Sequence, residues 1–299
     1  MSKTALPFNG LLFALGSAGL YGLNIVYARV AALAGVNGPA IVVYRVLLML
    51  GLTVGAAYLM RRHLKAEREE WRTLALLGIA TAFVGLCYIS SVAFIPVTMA
   101  TVIFYAYPTM IVLATPFVDK TPLTPSLAGV VVISLIGVVL VVGPVFEGLD
   151  WRGLALAAGA GVATATQFFA AARCRKTDPV AKVFWVHLIV LPTALLVGAL
   201  TGQLESPAIL AIAPFAVFMT IGGYVIGFIF QMLALARISA AAAGIAYCIE
   251  PVVSALASVM VLGERLSSLQ IGGGVLVLFA VVTNVYLESR RSTPLVPTD

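Results

Sequence analysis

The chain alternates long apolar runs with short polar breaks. Runs of about 20 apolar residues lie at 9–32, 39–60, 73–94, 97–118, 124–145, 152–173, 180–201, 208–233, 238–262 and 267–287. Each is long enough to cross the ~30 Å hydrocarbon core as a helix. The runs are continuous rather than alternating with period two, so a membrane β-barrel is excluded. The pattern predicts an all-α polytopic membrane protein with ten transmembrane helices. The break between the third and fourth runs rests on "FIPVT".

A few polar residues interrupt these runs, and they recur at helical spacing. Tyr247, Glu250, Ser254 and Ser258 form one stripe, Thr98, Thr101, Tyr105 and Thr109 a second, and Ser17, Tyr21 and Asn24 a third. Polar stripes on apolar helices face protein rather than lipid, so these outline one polar centre. Pro251 and Pro108 fall within the same runs. A proline leaves the carbonyl four residues back without its donor, here those of Tyr247 and Phe104, and such a carbonyl is tolerable at depth only beside protein or a wet cavity. Glu250 is the one acidic residue well inside a long run. At ~1.5 Å per residue, Glu250 and Arg45 of the second run reach overlapping depths. Two readings of Glu250 stay open: a structural lock with Arg45 or nearby hydroxyls, or a group that meets a cationic substrate or exchanges a proton.

The chain is also written twice. "PVTMATVIFYAYPTMIVLATPFVDKTPLTPSLAGVVV" from Pro96 aligns without gaps with "SAAAAGIAYCIEPVVSALASVMVLGERLSSLQIGGGV" from Ser239, placing Pro108 on Pro251. The same offset places Gly10 on Gly153, Gly16 on Gly159, the pair Tyr21/Asn24 on Thr164/Gln167, and Tyr88 on Gln231. One offset through most of both halves marks a duplication. Five helices per half is an odd number, so the second copy enters the membrane inverted, the plan of many secondary transporters. The units are expected at 9–145 and 152–287, followed by a cytoplasmic tail at 288–299.

Composition agrees: 62% of residues are hydrophobic, 10% are charged, and the mean hydropathy is +1.09. The net charge of +6 does not signal nucleic acid, because the basic residues sit in short clusters between runs. With the N-terminus inside, the inner segments take Lys3; Arg61, Arg62, Lys65, Arg68 and Arg72; Lys120; Arg173, Arg175, Lys176 and Lys182; Arg237; and Arg290 and Arg291. The outer loops take only Arg29, Arg152 and Arg265. This asymmetry places both termini in the cytoplasm. Cys87, Cys174 and Cys248 are dispersed and read as packing residues, and no metal or cofactor site is expected. No paired carboxylates, HExxH or phosphate loop occurs, which leaves a membrane-embedded enzyme a remote alternative.

"IEPVVSALASVMVLGERLSSLQIGGGVLVL" resembles the second-repeat signature of EamA-type members of the drug/metabolite transporter superfamily, through Glu250, Pro251, Gly263, Glu264, Gln270 and Gly272. Tyr21, Gly22, Asn24 and Arg45 resemble the weaker first-repeat features. The resemblance implies a ten-helix carrier of the bacterial inner membrane, working by alternating access and exporting small metabolites such as amino acids or aromatic and amphipathic compounds. Import of a metabolite or vitamin on the same fold is the alternative. The sequence departs from the family where a second Gly-Glu turn is usual, reading "VDKTPLTP" at 118–125, and Tyr107 stands where the second half has Glu250.

On this reading Tyr21, Asn24, Tyr88, Thr101, Tyr105, Gln167, Gln231, Tyr247 and Glu250 are the expected substrate-binding residues. Glu250, Arg45 and His187 are candidates for coupling or a charge pair, although a hydrogen-bonded structural role suits His187 as well. Pro108 and Pro251 are the helix breaks, and Lys182 is expected to snorkel from the seventh run. The partners are a small-molecule substrate, protons as coupling ion and the lipid bilayer, with the protein a monomer or homodimer. The cavity is expected between helices one, three, four, six, eight and nine, with five and ten as braces.

Overall fold

The computed structural model describes residues 6–120, 122–143 and 149–291. Lys3 and the tail beyond residue 291 lie outside the described residues. The chain there is helical, with no strand: α1 (Leu6–Leu33), α2 (Gly38–Leu59), α3 (Trp71–Ser91), α4 (Val97–Phe104), α5 (Tyr107–Val118), α6 (Pro125–Val142), α7 (Trp151–Arg173), α8 (Pro179–Leu200), α9 (Pro214–Leu235), α10 (Ala240–Tyr247), α11 (Ile249–Leu262) and α12 (Ser268–Arg291). Counting α4 with α5 and α10 with α11, ten of these segments are long and apolar enough to cross a membrane.

Local chemistry sets the boundaries. Asp178 and Ser239 cap the starts of α8 and α10, each side chain accepting a backbone N–H, and prolines open α6, α8 and α9. Both arrangements suit a first turn whose N–H groups have no partner within the helix. The eighth run differs from expectation at its start. Pro207–Ala211 is a short 3-10 turn, and the membrane helix begins at Pro214, whose ring lacks an N–H and suits the first turn of a helix.

The two prolines of the repeat act as their positions imply. The fourth run breaks at Tyr105–Ala106 and the ninth at Cys248, related positions of the two halves. There the chain tightens: the Ala106 N–H bonds to the Ile103 carbonyl at 3.2 Å and the Cys248 N–H to the Ile245 carbonyl at 3.1 Å. These three-residue closures restart the helix at Tyr107 and Ile249, so single continuous helices are not formed in these two runs.

The halves interlock rather than lie side by side. Helix α1 of the first half packs on α9 and α11 of the second, and α7 of the second half packs on α3, α4 and α5 of the first. Helices α2 and α8 meet each other, as do α6 and α12. The seats repeat too. A Cβ on Gly10 would meet Ile238 at 2.7 Å and Arg237 at 2.8 Å, and one on Gly153 would meet the related Ile95 at 2.7 Å and Phe94 at 2.9 Å. At the α6–α12 crossing, a Cβ on Gly273 would sit 2.7 Å from the Gly137 carbonyl oxygen. Small residues let backbones approach this closely where lipid supplies no hydrophobic drive.

Helix α11 ends on Gly263 in the left-handed conformation, φ +69°. The related residue, Lys120, adopts the same conformation at φ +56°. The missing glycine of the first repeat thus leaves the turn intact, at a cost of about 1 kcal/mol for a side chain in that region.

Candidate functional site

A cavity of about 210 Å³ lies on the seam between the halves. Its walls come from α1, α2, α3, the α4–α5 pair, α7, α8, α9 and the α10–α11 pair, but not from α6 or α12. The lining therefore includes the expected helices and adds the second and seventh membrane segments through Pro39, Val42, Arg45, Val190, Thr193, Ala194 and Val197. Pro39 is in the first turn of α2 and Val197 in the last turn of α8, so the cavity runs from mid-depth toward the end of the bundle opposite the basic loops.

Its floor is a polar chain across both halves. The Tyr21 hydroxyl donates to Gln231 Oε1 at 3.0 Å, and Gln231 Nε2 donates to Gln167 Oε1 at 3.1 Å. Gln167 Nε2 in turn donates to Thr81 Oγ1 at 2.9 Å, and the Thr81 hydroxyl to the Leu77 carbonyl at 2.7 Å. Each amide uses its oxygen on one side and its nitrogen on the other, which fixes its orientation. Asn24, related to Gln167 by the repeat, donates directly to the carbonyl of Thr220, itself related to Leu77. Gln167 is one methylene longer and reaches its carbonyl through Thr81. Beside this chain, Tyr247 donates to Ser17 Oγ at 2.5 Å and Ser17 to the Gly227 carbonyl at 2.6 Å.

Glu250 is partly buried, lines the cavity and occupies the first turn of α11. Tyr21, Tyr107 and Tyr247 line the same cavity, and Tyr105 is buried at the break between α4 and α5. The break brings helix α1 into contact here: a Cβ on Gly22 would lie 2.7 Å from the Glu250 carbonyl oxygen and 3.1 Å from Ser254 N. Only glycine admits that approach.

Arg45 faces the same cavity but makes no ion pair with Glu250; the ion pairs among the described residues all lie elsewhere. The contact suggested by depth fails because the guanidinium is drawn over the Tyr224 ring, 3.9 Å from its centroid. His187 is fully buried behind that ring, with Nε2 3.0 Å from the Tyr224 hydroxyl and Nδ1 2.8 Å from the Val183 carbonyl.

Of the nine expected binding residues, Tyr21, Gln167, Gln231, Tyr247 and Glu250 line the cavity. Four are placed around it instead. Asn24 is spent on Thr220, Tyr88 and Thr101 bond each other at 2.8 Å, and Tyr105 is buried against Glu250. Sequence reasoning missed Tyr224, Phe168, Phe228, Phe104 and Thr81, which complete the wall. The repeat held one signal, since Tyr224 is the partner of Thr81.

At the basic end the seam is closed by Glu70, the residue preceding α3, which is 8% exposed. Its carboxylate accepts N–H bonds from Arg175 at 2.7 Å, Lys176 at 2.8 Å and Thr177 at 2.6 Å, and the Thr177 hydroxyl at 2.8 Å. A first-half carboxylate thereby holds a second-half loop. Lys182, expected to snorkel, is instead 3% exposed and packed near Cys174 and Glu70. Around the clasp, Arg62 pairs with Asp178 at 3.2 Å, Lys176 pairs with Glu69, and Trp185 Nε1 donates to the Leu64 carbonyl at 2.8 Å.

Burial alone would raise the Glu70 pKa, but the N–H groups of Lys176, Thr177 and Arg175 and the Thr177 hydroxyl outweigh it and hold it at about 2, below the ordinary 4.5. A depressed pKa contributes stability above the unfolded value and loses it as the pH falls from 4.5 toward 2. Glu70→Gln should therefore cost about 3 kcal/mol at pH 7. The gap from wild type should narrow below pH 4.5, as melting curves of the purified proteins would show. A gap that stays constant to pH 3 would rule out the ionised clasp.

Among the described residues, no three His, Cys, Asp or Glu side chains gather into a metal site. The profile of the EamA-like transporter family matches residues 8–143 and again residues 151–286. The chain belongs to the EamA-like transporter family. It is therefore an integral membrane transporter of the drug/metabolite type, built of two inverted five-helix repeats. Among solved structures, a chain titled "Crystal structure of protein" has 19% identity and a TM-score of 0.77, over 94% of this chain and 99% of that one; the likeness is one of fold. No curated protein matches in sequence. In the EamA frame, Glu250 and Pro251 mark the helix break beside the cavity, and Gln270 ties α12 to α6 by donating to the Val141 carbonyl at 3.1 Å.

Proposed function

We propose that this EamA-family chain is a secondary active carrier that exports small metabolites, such as amino acids or aromatic and amphipathic compounds, by alternating access. One observation carries the reading: the cavity on the seam between the halves holds one carboxylate and one cation not paired with each other, amid aromatic walls. With both termini cytoplasmic, as the basic loops favour, the cavity reaches toward the outside and the Glu70 clasp closes the inside. The structure then corresponds to an outward-facing state. Rocking the halves apart at the clasp and together at Pro39 and Val197 would present the same cavity inward. Glu250 is the group proposed to meet the substrate or to carry the coupling proton.

The test is transport by the purified protein in liposomes loaded with a mixed metabolite panel, followed by mass spectrometry under both signs of pH gradient. Gradient-dependent loss of specific compounds is the expected result. Accumulation from outside under the same gradients would reverse the direction. A well-folded protein that moves nothing from a broad panel would remove the carrier reading.

A further inference from the structure

Among the described residues lining the cavity, Arg45 is the one cation and Glu250 the one carboxylate. An ionised group at this depth costs several kcal/mol unless it is paired or hydrated. The Arg45 side chain is nevertheless held in place. Its guanidinium carbon lies over the Tyr224 ring, 3.9 Å from the centroid, and its Nε is buried with no hydrogen-bond partner.

The platform beneath it is fixed in turn. The Val183 carbonyl can only accept, so His187 Nδ1 carries the proton and donates to it at 2.8 Å. In the neutral ring Nε2 is then an acceptor, and the Tyr224 hydroxyl donates to it at 3.0 Å. Phe228 packs edge-on against the imidazole, with centroids 4.7 Å apart. The tyrosine thus spends its hydroxyl on the histidine and offers its π-face to the arginine. A guanidinium fixed by stacking keeps its edge for in-plane acceptors, the geometry that matches a planar oxyanion.

We infer that Arg45 is the subsite for a carboxylate, or an equivalent planar oxyanion, of the transported molecule, with Tyr224 and His187 as the positioning residues that aim it. The inference rests on reading the cavity as the transport site. Tyr21 lines the same cavity as Arg45 and Glu250, so the acid and base ends of the cavity share a wall. A substrate would lay its anionic group against α2 and α9 and its body among Tyr21, Phe168 and Tyr247.

The experiment uses three probes with one phenyl body at pH 7: 3-phenylpropionate, 3-phenylpropanamide and phenethylamine, titrated calorimetrically into the full-length protein in lipid nanodiscs. Wild type should bind the acid at least about tenfold tighter than the amide, the advantage of a charge-assisted bidentate contact. Arg45→Gln should abolish that ratio by weakening the acid far more than the amide. Tyr224→Leu should lower the ratio while Tyr224→Phe keeps most of it, whereas a merely structural role would weaken all probes alike. If the amide or amine binds wild type as well as the acid does, or if the acid preference survives Arg45→Gln, the assignment of Arg45 is overturned and the cavity remains a binding site. If none of the three binds wild type, the inference and the transport-site reading both fall.

Discussion

Glu250→Gln should lower the initial rate of transport in liposomes about 10- to 100-fold while leaving the melting temperature within a few degrees of wild type. The amide has nearly the same shape and takes the same place in the cavity wall. What is lost is the capacity to ionise and to exchange a proton, in the first turn of α11. Hydrogen bonds to charged groups contribute roughly 1.5–3 kcal/mol, and that range sets the expected loss. Of the alternative role, a lock with Arg45 or nearby hydroxyls, the Arg45 form is disfavoured because Arg45 is stacked on Tyr224 instead. A variant that transports at the wild-type rate would leave Glu250 a packing residue and move the handling of charge elsewhere in the cavity.

Gly85→Trp should block transport altogether without unfolding the protein. Gly85 lines the cavity from α3, and a Cβ built there meets nothing within 4 Å. The indole would enter a space of about 210 Å³, comparable to the volume of the side chain itself. Removing glycine from a helix interior also improves helix propensity by a few tenths of a kcal/mol. Gly78, two turns earlier on α3, is the contrast: its Cβ would lie 2.6 Å from Ile189 Cδ1 and 2.9 Å from Ile189 Cβ. There even alanine should cost stability, with no cavity to plug. Normal transport by a folded Gly85→Trp protein would show that the substrate takes another path.

The difference between these two glycines illustrates what could be read in advance. Apolar runs and a fixed repeat offset are properties of the chain alone, so ten membrane segments, two related halves and two proline breaks were legible in the sequence. Helical spacing also told which faces of the helices are polar. It could not tell which polar atoms are already spent. Asn24 and Gln167 look alike in the two copies, yet Asn24 is consumed by Thr220 and Gln167 lines the cavity. Tyr224 lay among apolar neighbours, where an aromatic ring facing lipid and one facing a cavity read the same. Glu70 was hidden differently, inside a charged loop that resembles any solvated one. Its role depends on three N–H groups more than 100 residues away, a contact that no local pattern encodes.

The repeated seats of Gly10 and Gly153 have a consequence for ancestry. Each copy receives the other's side chains at related positions, so a lone five-helix unit would leave its seats exposed and would be completed only by an inverted twin. Two identical units of that kind would present the same residue at both mid-depth breaks, either two carboxylates or two phenols. Joined in one polypeptide, the copies were free to diverge, and here one break carries Tyr107 and the other Glu250. Fusion therefore did more than fix stoichiometry. It let a symmetric scaffold hold a single carboxyl group on one side of its axis.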